Sequence, residues 1–204
     1  MASVLGRIFG SKPTAICGIL GQLLVFIAIG IAISVSPWFT WTGNALSNLG
    51  DLNNPISAPI FNVGLIIGGI ITVLFTLGLA WNARTHALAL IGAIALLFAG
   101  VGSVGVGIFP ENFIMPHVIS AVLIFVGVIV GLLLFGFALI LRRSTRILGV
   151  LSIILGLIAM LIWFLPWQGM GVAIPETVAA VAGYILSLIM SARLLAGKEV
   201  IPKK

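Results

Sequence analysis

Residues 117–141 read HVISAVLIFVGVIVGLLLFGFALIL, and residues 142–146 read RRSTR. The first stretch holds no Asp, Glu, Lys or Arg. As a helix rising about 1.5 Å per residue it is long enough to cross the roughly 30 Å of hydrocarbon in a bilayer. The second stretch stops it with three arginines. Apolar runs of the same kind occupy about 14–36, 58–81, 87–109, 147–166 and 175–194. In lipid every backbone polar group must be bonded within the protein, which leaves helices or closed barrels. Barrel strands alternate in polarity over segments of about ten residues, whereas these runs are continuous. The expectation is an all-α polytopic membrane protein, a six-transmembrane-helix bundle, with residues 1–204 forming a single transmembrane domain.

Composition agrees. The chain is 61% hydrophobic and 7% charged, against roughly 25% charged in a soluble domain. A net charge of +6 would suggest nucleic acid for a soluble protein, but here the position of the charges explains it and no nucleic-acid partner is expected. With a cytoplasmic N-terminus, Arg7, Lys12, Arg84, Arg142, Arg143, Arg146, Arg193, Lys198, Lys203 and Lys204 all fall inside and none outside. Basic residues in short loops set orientation, so both termini are expected in the cytoplasm of a multi-pass protein of the cell membrane. Trp38, Trp41 and Trp167 fall at the outer interface and Trp81 at the inner one, as aromatic belts do. Cys17 is alone, so no disulfide forms within the chain. The basic N-terminus resembles a signal sequence, but the run that follows is longer than an ordinary signal core and reads as an uncleaved first span.

The acids divide the other way. Asp51, Glu111 and Glu176 face outward and Glu199 inward; acidic residues contribute little to orientation, so this asymmetry asks for a separate reason. Asp51 sits in the longest polar interruption, Pro37 to Pro59. There Leu46, Leu49 and Leu52 recur every three residues, Asn44 is placed to cap a short helix and Gly50 to end it. An interfacial helix on the outer end of the bundle is expected. The even-numbered spans start beside Pro59, Pro116 and Pro175. Proline in a first turn loses no hydrogen bond, and Glu111 or Glu176 at a helix start complements the dipole.

Buried polar residues within the spans are uncharged: Gln22, Ser34, Asn62, Thr72, Thr76, Ser103, Ser120, Ser152 and Ser187. Proton-coupled transporters usually carry ionisable groups at mid-depth, so that class is not expected, and a passive pore stays open. Gly64 with Gly68 and Gly127 with Gly131 have the spacing of close helix contact, either within the bundle or between copies. Gly100-Val-Gly102-Ser-Val-Gly105 matches a dinucleotide fingerprint only formally, since no strand precedes it. It reads instead as a small-faced or loosened helix end against the outer loop. His86 and His117 lie on opposite sides, which argues against a His-rich zinc site. Asp51, Glu111, His117 and Glu176 suit a hard divalent cation held through oxygens, or acid–base work by His117 with a carboxylate. Ser120, one turn from His117, is a nominal nucleophile. No other cofactor is evident.

Trp41-Thr-Gly-Asn-Ala-Leu-Ser-Asn-Leu-Gly50 and Ile60-Phe-Asn-Val-Gly64 resemble the signature of domain-of-unknown-function family 998. Gly107-Ile-Phe-Pro-Glu111 with His117, and Ala173-Ile-Pro-Glu176, resemble that family's outer-face motifs. The resemblance covers nearly the whole chain. It implies a six-helix membrane protein of archaea or bacteria and marks Ser47, Asn62, His117 and Glu176, but implies no reaction. The family often has an acid where this chain has Asn48; if that acid is functional there, either Asp51 substitutes for it or the activity is absent. A looser likeness is to eukaryotic Frag1/Sfk1-type membrane proteins, linked with lipid handling. The candidate outer-face site is thus Ser47, Asp51, Asn62, Glu111, His117 and Glu176. The leading expectation is non-enzymatic binding of a membrane lipid headgroup or a partner subunit, in a homo-oligomer or membrane complex. The alternatives are an enzyme acting on a lipid-linked substrate and a small-solute channel.

Overall fold

The computed structural model describes residues 8–202. Six helices in it are long and apolar enough to cross a membrane, and no strand occurs among the described residues. They are α1 (Ser11–Ser34), α2 (Ser57–Ala83), α3 (Ala87–Ile108), α4 (Ile114–Ile140), α5 (Arg146–Leu161) and α6 (Ala173–Leu195). The expected spans are all present and the multi-pass architecture holds. Boundaries move by a few residues: α4 begins at Ile114, before His117, and α5 ends early but continues as the 3-10 turn Ile162–Phe164.

Successive helices pack side by side from α1 to α5, and α6 closes the ring against α1 while also touching α4 and α5. One end of the bundle carries the long segment 35–56 and the turns 109–113 and 165–172; this is the loop end. The turn end carries 84–86 and 141–145. Lys12, Arg84, Arg142, Arg143, Arg146, Arg193 and Lys198 all lie at the turn end, and Asp51, Glu111 and Glu176 at the loop end. Arg7, Lys203 and Lys204 lie outside the described residues.

Lipid tails are as apolar as leucine, so no hydrophobic force drives helix against helix; close van der Waals contact must do so, through small residues. Gly64 packs on Ala28 and Gly68 on the Gly21 carbonyl, joining α2 to α1. A Cβ on Gly127 would stand 2.5 Å from the Ala95 carbonyl oxygen and 2.9 Å from the Ala99 nitrogen, so this pair joins α4 to α3. Both glycine pairs work inside the chain. The Gly100–Gly105 stretch corrects its expectation: α3 stays helical through Ile108, and its glycines face α2 and α4 rather than the outer loop. A Cβ on Gly102 would come within 2.5 Å of the Ser120 carbonyl oxygen. Pro59, Pro116 and Pro175 are each the third residue of their helix, inside the turn whose N–H groups have no intrahelical partner.

The turn half of the bundle is densely filled by Phe75, Leu79, Leu132, Phe135, Leu139 and Met190. Val200 and Ile201, beyond α6, fold back into the same core, which the sequence did not signal. Toward the loop end a second cluster joins Leu46 and Leu49 to Phe61, Leu65, Val106 and Ala173.

Candidate functional site

The segment between α1 and α2 forms a roof over the loop end. Its centre is a 3-10 helix, Leu46–Gly50. Asn48, not Asn44, ties its start: the Asn48 Oδ1 accepts the Ala45 N–H at 2.8 Å. Asn44 instead turns back, its Oδ1 accepting the Thr40 N–H at 2.9 Å. Leu46 and Leu49 point into the bundle, while Leu52 follows the helix end at Gly50 and is 56% exposed. The three-residue repeat therefore holds for two leucines and not for the third.

Four sets of bonds fasten this roof to distant elements. Asn62 of α2 donates from Nδ2 to the Gly50 carbonyl at 2.9 Å. Asn48 donates from Nδ2 to Glu111 Oε2 at 2.7 Å. In the 109–113 turn, Asn112 donates to Asp51 Oδ1 at 2.9 Å and its Oδ1 accepts the Leu52 N–H at 3.0 Å. Beside α6, the Gly171 N–H donates to the Thr42 carbonyl at 2.7 Å, and the Ala173 N–H to the Asn44 carbonyl at 2.9 Å. Glu176 completes the fourth set, with Oε2 accepting the Leu46 N–H at 2.6 Å. Glu111 lies in the turn before α4, not in its first helical turn, so its work is on Asn48 rather than on the helix dipole.

Asn48→Asp places an oxygen where Nδ2 meets the Glu111 carboxylate. A hydrogen bond to a charged group contributes about 1.5–3 kcal/mol, so a destabilisation of that order is expected in thermal unfolding in nanodiscs. An unchanged midpoint would show that the Asn48–Glu111 bond carries no weight. The Asn53 backbone N–H and the Asn112 amide hold the Asp51 carboxyl below the usual carboxylate range. A lowered folded pKa contributes stability that is present above the unfolded value, about 3.9, and is lost as pH falls through the folded one. The difference in midpoint between wild type and Asp51→Ala should therefore stay constant at mildly acidic pH and vanish only in strong acid.

Beneath the roof lies a cavity of about 120 Å³. Ser47, His117 and Glu176 stand at its top, and Gln22, Thr76 and Ser187 reach its lower part. From Glu176 to Ser187 along α6 is about 16 Å at the helical rise. Between these levels the wall is apolar, from Val25 and Ile29 of α1 through Phe61 and Leu65 of α2 to Ile124 and Val128 of α4. Ala180 and Gly183 give the α6 wall its depth, and α5 takes no part. Two of the polar side chains inside it bond to helix backbone: Thr72 Oγ1 donates to the Gly68 carbonyl at 2.8 Å and Ser103 Oγ to the Leu65 carbonyl at 3.1 Å.

The six residues expected from sequence thus split. Ser47, His117 and Glu176 meet around the cavity. Asn62, Asp51 and Glu111 fasten the roof. Among the described residues no group of three or more His, Cys, Asp or Glu side chains is gathered to hold a metal. His117 Nδ1 lies 3.0 Å from the Phe109 carbonyl; a carbonyl only accepts, so Nδ1 carries a proton and Nε2 is left for another partner. Ser120 donates to its own helix, at the Pro116 carbonyl 2.7 Å away, and does not form a nucleophile pair with His117. The small wall residues Ala121, Ala180 and Gly183 escaped sequence reasoning, since small residues in a membrane helix usually mark packing.

A family described as a protein of unknown function, DUF998, matches residues 19–193. The chain belongs to the DUF998 family. No curated protein matches it, and no solved structure does. The matched region runs from within α1 to within α6, so the roof and the cavity both lie inside the DUF998 segment. The stretches 41–50, 60–64, 107–111 and 173–176, which carry the sequence resemblance, all come together at the loop end. They are the roof, the α2 start beneath it, the Glu111 turn and the α6 start.

Proposed function

We propose that this DUF998 protein binds one amphipathic molecule drawn from the membrane, its apolar chain in the cavity and its polar head under the Leu46–Gly50 roof. One observation carries the reading: the cavity of about 120 Å³ has mainly apolar walls, with its ionisable side chains, His117 and Glu176, gathered at its top. Protein interiors hold few voids larger than a water, and one water needs about 10–15 Å³ on the same measure. A space several times that size is not a packing fault. The dense core from Leu79 and Phe135 to Leu139 closes the bundle below it, which supports binding over conduction. The distribution of basic residues supports a roof on the outer face, both termini in the cytoplasm and residence in the cell membrane. The basic turn end would then add attraction to anionic lipids of the inner leaflet.

The test is native mass spectrometry of the protein extracted from its own membrane in polymer nanodiscs. One small amphiphile per chain should survive activation that strips the surrounding lipids. A bare chain after stripping, or stable co-release with a second protein subunit in place of a lipid-sized adduct, would overturn the reading. A second reading rests on His117 and Glu176 lining one cavity, where an acid and a base would meet the same occupant. It expects chemical turnover of the retained amphiphile that His117→Ala abolishes; turnover unaffected by that change removes it.

A further inference from the structure

Resting on the cavity reading, we propose that the occupant is a single-chain amphiphile whose head donates hydrogen bonds, a long-chain alcohol or amine, and not a fatty acid or a phosphate ester. The polar groups at the top of the cavity can each accept a hydrogen bond, and none of them is a lysine or an arginine. Glu176 already takes the Leu46 N–H on Oε2, which leaves Oε1 for another donor. His117 spends its Nδ1 proton on the Phe109 carbonyl, which leaves Nε2 for another partner. Ser47 adds a hydroxyl able to serve either way. Four other acids or amides of the loop end are engaged in pairs and do not line the cavity: Asp51 with Asn112, and Glu111 with Asn48.

No cation is available to receive an anion. Among the described residues every Lys and Arg sits at the turn end, across the bundle from this opening. The α6 start does present a positive dipole, but Glu176 in its first turn already answers it. An anionic head would therefore enter a desolvated space beside an acidic side chain with no cation to pair with, which is costly. The apolar part is one chain by size. About 120 Å³ spread along the roughly 16 Å from Glu176 to Ser187 suits one alkyl chain.

The dodecyl series tests this with one chain and four heads: dodecanol, dodecylamine, dodecanoate and dodecyl phosphate, offered together at equal concentration to the full protein in nanodiscs. Native mass spectrometry reads which adduct is retained. The alcohol and amine should each be retained about tenfold over the carboxylate and the phosphate, a difference of about 1.4 kcal/mol. Glu176→Gln should lower the ratio of amine to carboxylate about tenfold while the alcohol is still held. Retention of the carboxylate or phosphate equal to that of the alcohol overturns the head-group assignment and leaves the cavity reading standing. Retention of none of the four by wild type removes the cavity reading itself and this assignment with it. The wild-type competition stands alone if the variant fails to assemble.

Discussion

Ala180→Phe should abolish retention of the bound amphiphile while leaving the unfolding midpoint within a few degrees of wild type. Ala180 is one helical turn below Glu176 and lines the cavity, so a phenyl ring there grows into space that the fold leaves empty. Overpacking normally costs about 1–3 kcal/mol because neighbours must give way; here the added ring also gains van der Waals contact with the apolar wall. The neighbouring residue supplies the control. Ala179 is wholly buried in the packed core, and Ala179→Phe should destabilise the bundle severely. Native mass spectrometry with thermal unfolding of the three proteins decides the matter. Undiminished retention in a well-folded Ala180→Phe protein would show that the bound molecule lies elsewhere.

Gly127→Val should prevent stable assembly of the bundle. The first added carbon meets the Ala95 carbonyl oxygen at 2.5 Å and the Ala99 nitrogen at 2.9 Å, and both are helix backbone. A flexible side chain could swing aside at little cost, but backbone inside a helix moves only if the whole of α3 moves. The loss should reach or exceed the upper part of the usual overpacking range, about 3 kcal/mol, and appear as lost monodispersity in size-exclusion chromatography. Gly30 is the matched comparison, since a Cβ there meets nothing within 4 Å. Gly30→Val should run as wild type. If Gly127→Val did so as well, the close packing of α3 on α4 would not be what holds those helices together.

The helices were legible because a bilayer imposes a length and a polarity that no loop of this chain imitates. The basic turns were legible for the same reason. The roof was not, because its fastenings join residues far apart in sequence. Asn112 was unremarkable until it appeared opposite Asp51 and Leu52, and Asn48 seemed a departure from the family pattern until it faced Glu111. That contact gives the amide its sense, because two carboxylates at this distance would have to share a proton. The loop-end acids, which suggested a ligand site, are largely occupied in holding the roof; of the three, only Glu176 serves both roof and cavity. Cavities are made of what side chains leave out. The uncharged polar residues Gln22, Thr72, Thr76, Ser103 and Ser187 were the one local hint of it.

The closing of α6 against α1 has a consequence for the order of events during biosynthesis. Helices α1 to α5 pack on neighbours in sequence, and each can dock as it leaves the insertion machinery. The cavity has no wall on one side until α6, the last helix to arrive, swings in against the first, and its roof has no Glu176 to hold Leu46 until that moment. A half-made protein therefore offers the bilayer an open apolar trough. On the proposed reading, the molecule that ends up inside would need no doorway: it would be packed around, and its presence at closure would help decide how fast and how completely the last helix seats.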